Sequence, residues 1–332
     1  MTNIKLAPYF HPTTVCFVDD NESFLRSLDL DLPAGWVYRT FVDPLEALSY
    51  LNEKSPRAPL AERCFSVDDA NHSLIHVDFN LIEQEINFRE RFRQISVVVV
   101  DYSMPSINGL DFCDQVTDPY IRKVMLTGVA DEKVAVEAFN AGLIHRFIPK
   151  NHPKALETII NFVNELEQEY FSQYRAPLQS SLAINPPGFL VDEAVAVWFH
   201  ALIDSEHVVE YYFVTEPPGF LLLRGNGSML RAIILDDAQM AAQQDYAAKF
   251  NAPAEVLRAI GNKERLGVFD GDSPAHYFGN ETFPWEENLL DVTPIAGRRT
   301  GYVGIHFDPP MDIDFDPEVA SYDAYLNKKD GK

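Results

Sequence analysis

The chain contains the stretch VCFVDD at residues 15–20, in which a short apolar run ends in two aspartates. A second stretch, VVVVD at residues 97–101, repeats the pattern with one aspartate. Short valine-rich runs are typical of buried strands in a parallel sheet, and ligands bind beyond the carboxyl ends of such strands. We therefore expect Asp19, Asp20 and Asp101 to lie together at one edge of a sheet.

Three neighbouring carboxylates need a cation, because each negative charge disfavours ionisation of the others. A hard divalent ion such as Mg²⁺ prefers oxygen ligands of this kind. Two further apolar runs end at the same predicted edge: KVML at 123–126 leads into Thr127 and Gly128, and RFIP at 146–149 leads into Lys150. A hydroxyl and an ammonium group are thus expected beside the acids.

The order of these residues resembles the receiver domain of two-component response regulators. That family carries an acidic pair, then D-x-x-M-P-x-x-x-G, then T-G, then F-x-x-K. The matching residues here are Asp19, Asp20, Asp101, Met104, Pro105, Gly109, Thr127, Gly128, Phe147 and Lys150. The resemblance covers roughly the first half of the chain. It implies an α/β fold of the flavodoxin-like, CheY-like type, a doubly wound parallel sheet of five strands.

The resemblance also implies a metal-dependent phosphoryl transfer. In that family the residue at the position of Asp101 is the phosphoacceptor, and the residue at Asp20 binds Mg²⁺ directly. Asp19 would help to position the ion, and the backbone carbonyl of Ser103 would complete the protein ligands. The phosphoryl donor would be a sensor histidine kinase or a phosphotransfer protein.

Three other positions carry family roles in charge neutralisation and readout. Lys150 would neutralise charge on the transferred oxygens, and Thr127 and Phe147 would form the switch that reports phosphorylation. The chain departs from the family beside the lysine, where proline often follows it: here Asn151 follows Lys150 and Pro149 precedes it. The geometry of this loop is left open by the sequence.

The length of 332 residues suits two domains. We expect a receiver domain at 1–152 with an insertion at about 54–93, placed before the third strand. A long helix and linker would occupy 153–179. An α+β output domain with an antiparallel meander would follow at 180–332, and its acidic tail from residue 308 is expected to be partly disordered.

The insertion and the long helix each leave alternatives open. The insertion is either a surface lobe or a contact surface for the second domain or a kinase, and it contains a predicted helix in which Glu85 and Arg89 have i,i+4 spacing. His72 and His76 would lie one helical turn apart, which is a weak metal signal. The apolar stripe of the long helix runs for about 24 residues to Tyr174, and it fits a rigid linker or a homodimer seam.

The second half carries no motif of a known catalytic domain, and it predicts a helix followed by three strands at 208–214, 220–223 and 229–235. We infer either an output domain that binds a protein or a small ligand, or an enzyme with an unrecognised catalytic domain under receiver control.

Charge and composition restrict the partners. The net charge is −23, and residues 180–332 hold 24 acidic against 11 basic side chains, which argues against DNA binding. No apolar run approaches the roughly 18 residues of a membrane helix, and the first residues lack a signal-peptide pattern. Three widely spaced cysteines predict reduced thiols. The expected location is the cytoplasm.

Overall fold

A computed structural model describes residues 5–53, 60–67, 75–128, 132–172, 188–215, 217–249, 251–268, 288–307 and 315–329. The chain forms two compact units, each assembled from three separate stretches. The parallel unit comprises His11–Ala58, Arg89–Gln173 and Tyr325–Lys332. The antiparallel unit comprises Met1–Phe10, Pro59–Phe88 and Tyr174–Ala324.

The strands of the described residues, in chain order, are β1 (Tyr9–Phe10), β2 (Thr14–Val18), β3 (Val37–Phe41), β4 (Phe65–Val67), β5 (Ile75–Val77), β6 (Ile95–Asp101), β7 (Arg122–Thr127), β8 (Arg146–Pro149), β9 (Val208–Thr215), β10 (Pro218–Arg224), β11 (Met229–Leu235), β12 (Arg265–Gly267), β13 (Leu289–Asp291), β14 (Thr293–Ala296) and β15 (Thr300–Phe307).

The α-helices of the same residues are α1 (Glu22–Asp31), α2 (Pro44–Leu51), α3 (Leu60–Cys64), α4 (Phe79–Glu83), α5 (Gly109–Gln115), α6 (Glu132–Asn140), α7 (Ala155–Ser172), α8 (Glu193–Ser205), α9 (Asp237–Lys249), α10 (Ala254–Gly261), α11 (Pro317–Ala320) and α12 (Tyr322–Lys329). Short 3₁₀ helices span Gln84–Asn87, Arg89–Arg93 and Gly188–Val191.

The parallel unit contains a five-stranded sheet in the order β3-β2-β6-β7-β8. All four strand pairs are parallel. The valine-rich strands are central because both of their faces are covered: every residue of β2 and Ser96–Asp101 of β6 is buried. The prediction of a doubly wound, flavodoxin-like parallel sheet with an insertion before its third strand is confirmed.

Helices cover both faces of this sheet, which makes two cores. On one face α2, α5 and α6 pack around residues such as Leu48, Phe112 and Ala138. On the other face α1 and α7 bring Leu28 and Val163 against the strands. Side chains on each face alternate along the strands, so Val15 and Phe17 face one core and Cys16 and Val18 the other. The strand ends are therefore held in fixed register.

The antiparallel unit is built on a six-stranded sheet in the order β1-β9-β10-β11-β15-β14. Strands β9, β10 and β11 follow one another as hairpins, so the predicted antiparallel meander is confirmed. Helix α8 covers one face through residues such as Val195 and Phe199. Helices α9 and α10 pack on the other face around Met240 and Ile260.

Local predictions for the insertion need correction. The α-helical turns of α4 end at Glu83 and a 3₁₀ helix follows, so the i,i+4 helical spacing of Glu85 and Arg89 is absent. Glu85 instead forms an ion pair with Arg63. His76 lies in strand β5, whereas His72 lies outside the described residues.

Helix α7 spans Ala155–Ser172 of the long helix that the sequence predicts. Its buried residues Ile159, Val163 and Leu166 pack against the parallel sheet, and Tyr170 and Phe171 are also buried. Tyr174 lies outside the described residues. The exposed positions of α7 are polar: Glu157, Asn161, Asn164, Glu165 and Gln168. A polar face of this kind does not favour an apolar homodimer seam.

The acidic tail contains more structure than the sequence predicts. Helices α11 and α12 span most of residues 317–329, while 308–314 and 330–332 lie outside the described residues. The side chain of Asp316 accepts a hydrogen bond from the backbone of Glu318, and Pro317 stands at the first helical position. This cap stabilises the start of a helix within a stretch whose acidic, proline-containing composition does not favour helix formation.

The domain limits 1–152 and 180–332 stay a prediction. Strand pairing gives information about one short segment near the start of the first range. Strand β1 pairs with β9 through Tyr9 and Tyr212, so the first strand of the chain belongs to the antiparallel sheet. Among the described residues, none of the helices combines the length and the apolar character that crossing a membrane requires.

Candidate functional site

Four polar side chains lie at the carboxyl ends of adjacent strands of the parallel sheet. The register aligns Val18 of β2 with Val100 of β6, and Asp101 with Leu126 of β7. Thr127 is aligned with Pro149, the residue before Lys150. Because all these strands run in the same direction, their last residues share one edge of the sheet. The structure brings Asp19, Asp101, Thr127 and Lys150 to that edge.

Asp19, Asp20 and Asp101 form a cluster of carboxylates. One oxygen of each lies within 4.8 Å of the others. Asp19 is 1% exposed and Asp101 is 5% exposed, whereas Asp20 is exposed to solvent. The backbone N–H of Asn21 donates a hydrogen bond of 2.9 Å to Oδ1 of Asp19. Two of the three acids are therefore held in the protein interior, and the third closes the cluster at the surface.

The ammonium group of Lys150 bridges the two buried acids. Its nitrogen lies 2.6 Å from Oδ2 of Asp19 and 3.0 Å from Oδ2 of Asp101. The backbone N–H of Lys150 donates to the carbonyl of Thr127 at 2.9 Å, which fixes the lysine beside the end of β7. Lys150 thus forms ion pairs with two of the three carboxylates, and within the described residues its one positive charge offsets only part of their negative charge.

The pKa values of the pair follow from burial and hydrogen bonding. Burial raises the pKa of Asp19, and the hydrogen bonds from Lys150 and Asn21 oppose this only in part. Burial lowers the pKa of Lys150, but the hydrogen bonds to Asp19 and Asp101 outweigh it and the pKa is raised. Both pKa values are raised, but the dominant cause differs: burial prevails for the almost fully enclosed aspartate, and the hydrogen bonds prevail for the lysine, whose side chain is 27% exposed.

The residues present fit a hard divalent cation. All three acidic side chains offer oxygen ligands, and their oxygens converge within a distance that one ion spans. Lys150 compensates only part of their charge. Ser103, the predicted carbonyl ligand, lies two residues after the end of β6 and is exposed. The donor set is therefore suited to Mg²⁺ held by Asp19, Asp20, Asp101 and a carbonyl.

Thr127 and Phe147 occupy neighbouring strands, β7 and β8. Thr127 is fully buried, and within the described part of the chain its hydroxyl has no hydrogen-bond partner. Phe147 is half-buried and contacts Phe139 of α6 edge to face, with ring centroids 6.3 Å apart. An unpartnered hydroxyl at the sheet edge is a group that can gain a hydrogen bond when an acceptor arrives.

Gly109 is required by the close approach of the loop that follows Asp101. Its backbone N–H donates to the carbonyl of Tyr102 at 2.9 Å. A Cβ atom on Gly109 would lie 2.5 Å from the carbonyl oxygen of Asp101 and 2.9 Å from Cα of Tyr102. Both contacts are with backbone and cannot be relieved by a side-chain rotation. Glycine therefore holds the shape of the loop that carries Ser103.

One neighbour of the site was not predicted as a site residue. The ring centroid of Phe24, on α1, lies 5.0 Å from the ammonium nitrogen of Lys150. In the sequence Phe24 belongs to the apolar stripe of α1, and it does pack at the margin of the core. The sequence offered one signal for its position: Phe24 lies one helical turn after Asn21, which directly follows the acidic pair at the strand end.

The chain is similar to solved structures of signalling proteins. The response regulator LqsR of Legionella pneumophila shares 30% sequence identity at a TM-score of 0.81, and the match covers 98% of this chain and 97% of that protein. A CheY-like receiver domain protein of Methanospirillum hungatei matches at 16% identity and a TM-score of 0.34, covering 49% and 98%. The BeF3-activated DrrB receiver domain matches at 18% identity and a TM-score of 0.31, covering 47% and 97%.

No protein-family model matches the chain, and no curated protein matches it. The similarity to LqsR extends over nearly the whole chain and therefore includes both units.

Proposed function

The chain belongs to the response regulators of two-component signal transduction, and on this premise we propose that phosphorylation of Asp101 switches the contacts of its C-terminal output domain. The observation that carries the proposal is the ammonium of Lys150, which lies 3.0 Å from Asp101 and 2.6 Å from Asp19. A cation so placed beside a nucleophilic carboxylate is suited to bind the oxygens of a transferred phosphoryl group.

The transfer step is a substitution at phosphorus. A carboxylate oxygen of Asp101 forms a bond to the phosphorus atom, and the bond between phosphorus and the donor breaks, with the electron pair leaving on the donor. The donor is the phosphohistidine of a sensor kinase or of a phosphotransfer protein. Asp19, Asp20, Asp101 and the Ser103 carbonyl would hold Mg²⁺, which supplies positive charge next to the phosphoryl oxygens.

Lys150 has to change partners in this reaction. Before transfer it neutralises Asp19 and Asp101 together. Once Asp101 carries a phosphoryl group, the Lys150 ammonium donates a hydrogen bond to a phosphoryl oxygen. Its hydrogen bond to Asp19 can be retained. The lysine side chain is 27% exposed, so it is not fully enclosed by the protein.

Thr127 and Phe147 are proposed to read the new charge. The Thr127 hydroxyl has no partner within the described residues, so a phosphoryl oxygen on Asp101 offers it a first hydrogen bond. Movement of the Thr127 side chain toward that oxygen would change the space available to Phe147, which is half-buried against α6. The surface formed by α6, β8 and α7 would then exist in two states, and phosphorylation would shift their populations. The output domain would bind a protein or a small ligand in one of them.

The experiment that tests this function is phosphorylation by a small donor. The purified protein is incubated with Mg²⁺ and acetyl phosphate, and its intact mass is measured. We expect the gain of one phosphoryl group, its loss in Asp101→Asn, and its retention in Asp114→Asn, which changes an exposed acid on α5. An unmodified mass with demonstrated Mg²⁺ binding, or modification of Asp101→Asn at the normal rate, would reject the assignment.

A further inference from the structure

In the described part of the chain, two kinds of group lie next to the Lys150 ammonium. Two carboxylate oxygens lie at 2.6 and 3.0 Å, and the face of the Phe24 ring lies 5.0 Å from the nitrogen. A distance below about 6 Å from the ring centroid places the ammonium within range of the negative face of the aromatic ring. The ring therefore occupies a side of the lysine head where water would otherwise lie.

Phe24 is connected to the site through the start of helix α1. The backbone N–H of Phe24 donates a hydrogen bond of 3.1 Å to the side chain of Asn21, which caps the helix. The backbone N–H of Asn21 in turn donates to Oδ1 of Asp19 at 2.9 Å. The carboxylate that binds Lys150 and the ring that covers it are therefore fixed by the same helix cap.

We propose that Phe24 is a positioning residue for the phosphoryl transfer, holding the Lys150 ammonium between Asp19 and Asp101 by a cation–π contact. This inference rests on the proposed function, because it concerns the lysine that neutralises the transferred group. Phe24 does not touch the reacting atoms. It acts only through Lys150.

An aromatic ring suits this task better than a polar neighbour does. An ammonium group has three N–H donors and no acceptor. A third carboxylate or a bound water would use one of these donors, whereas the ring attracts the charge by its quadrupole and accepts no conventional hydrogen bond. Phe24 therefore excludes water from one side of Lys150 and leaves its donors for oxygens. The lysine stays in place yet can exchange an Asp101 oxygen for a phosphoryl oxygen.

An aliphatic side chain at position 24 would keep the packing against the core and lose the attraction between the aromatic ring and the Lys150 ammonium. Phe24→Leu retains an apolar contact with the core of the parallel unit, while Phe24→Tyr retains the ring face. Cation–π contacts are worth about 0.5 to 2 kcal/mol, which corresponds to roughly a 2- to 30-fold change in the population of the held position. We take about 3- to 10-fold as the expected range for a half-buried pair.

The first readout is the accessibility of Lys150 in the unphosphorylated protein. Wild-type protein, Phe24→Leu and Phe24→Tyr are exposed to an amine-acetylating reagent, and acetylation of Lys150 is measured by peptide mass spectrometry relative to exposed Lys154. We expect acetylation of Lys150 to be about 3- to 10-fold faster in Phe24→Leu and within about twofold of wild type in Phe24→Tyr. Leu28→Ala, a cavity in the same helix, controls for loosening of α1.

The second readout is the rate of phosphoryl incorporation from acetyl phosphate at saturating Mg²⁺, which should fall about 3- to 10-fold in Phe24→Leu and be retained in Phe24→Tyr. Equal acetylation of Lys150 in wild type and Phe24→Leu overturns the proposal, as does an equal increase in Leu28→Ala or in Phe24→Tyr. If the acetylation pattern is as expected but wild-type protein takes up no phosphoryl group, the placement of Lys150 by Phe24 stands and the phosphoacceptor function falls.

Discussion

The ammonium nitrogen of Lys150 lies 2.6 Å from Oδ2 of Asp19, closer than its 3.0 Å distance from Asp101. Asp19 is also the most enclosed of the three acids, with 1% of its surface exposed. In the resting protein the lysine is thus bound more closely to a residue that would hold the metal than to the one that would accept the phosphoryl group. Among the described residues, Lys150 is the cation that forms ion pairs with this cluster, so the charge balance of the cluster depends on it.

Lys150→Met tests this dependence. The substitution leaves Asp19 buried without its cation, and removal of one partner of a fully buried pair costs about 3 to 5 kcal/mol. Because the lysine side chain is 27% exposed, solvent weakens the pair and we expect a loss of about 1 to 3 kcal/mol in the free energy of unfolding. Urea denaturation in the absence of divalent metal measures the change.

Addition of Mg²⁺ should restore more stability to Lys150→Met than to the wild type, because a bound cation replaces the lost positive charge and stabilises by linkage. Lys154→Met is the matched control: its lysine forms an exposed i,i+3 pair with Glu157 at 3.0 Å, so its effect should stay below about 0.5 kcal/mol. Equal losses in the two variants would contradict the buried role of Lys150.

Gly109→Ala tests the loop that follows Asp101. The added Cβ would meet the backbone oxygen of Asp101 at 2.5 Å, so the backbone around the phosphoacceptor has to move. We expect a loss of about 1 to 3 kcal/mol in the free energy of unfolding and a slower phosphoryl incorporation. Thermal unfolding and the acetyl phosphate assay report the two effects separately.

Gly35→Ala is the control for the general effect of replacing glycine. A Cβ atom at Gly35 meets nothing within 4 Å, and its backbone does not adopt the left-handed region. Stability should stay within about 0.5 kcal/mol of wild type or rise slightly, since alanine restricts the unfolded chain. A neutral result for Gly109→Ala would mean that the loop can relax without disturbing Asp101.

The candidate site could be predicted because its geometry follows from local patterns. Parallel strands carry their last residues to one edge, so the positions of Asp19, Asp101, Thr127 and Lys150 needed only four strand assignments. The shorter distance of Lys150 to Asp19 than to Asp101 could not be derived, because it depends on side-chain conformations that a pattern does not specify. The contact of Phe24 with Lys150 could not be predicted for a related reason, because a core residue and a cation–π partner have the same sequence pattern.

The parts of the fold that the sequence did not predict involve distant pairing. Strand β1 is only two residues long, and its partner β9 begins at Val208, far along the chain. An apolar pattern shows that a segment is buried but not which sheet receives it. The segment Pro59–Phe88 has the same ambiguity, and it belongs to the antiparallel unit.

The pH dependence of stability provides a test at the other end of the parallel unit. The carboxylate of Glu167, on α7, accepts hydrogen bonds from the backbone N–H of Thr13 at 2.9 Å and from the Thr13 hydroxyl at 2.5 Å. Burial raises the pKa of Glu167 from 4.5 to about 7, although these hydrogen bonds oppose the shift. Between pH 4.5 and 7 the folded protein therefore retains a proton that the unfolded chain releases.

Stability should thus fall as the pH rises through this window and stay at the lower value above pH 7. Glu167→Gln keeps an oxygen acceptor for Thr13 and cannot ionise, so the variant should match wild type below about pH 4.5 and exceed it by about 1 to 3 kcal/mol at about pH 8. Urea denaturation across this range measures the difference.

Taking the difference between variant and wild type also cancels the opposite contribution of buried His11, whose pKa is lowered by burial to about 3. Glu165→Gln, on the exposed face of the same helix, should change stability by less than about 0.5 kcal/mol at both pH values. A difference between Glu167→Gln and wild type that does not grow with pH would show that Glu167 is ionised in the folded protein throughout, with Thr13 supplying enough hydrogen bonding to offset its burial.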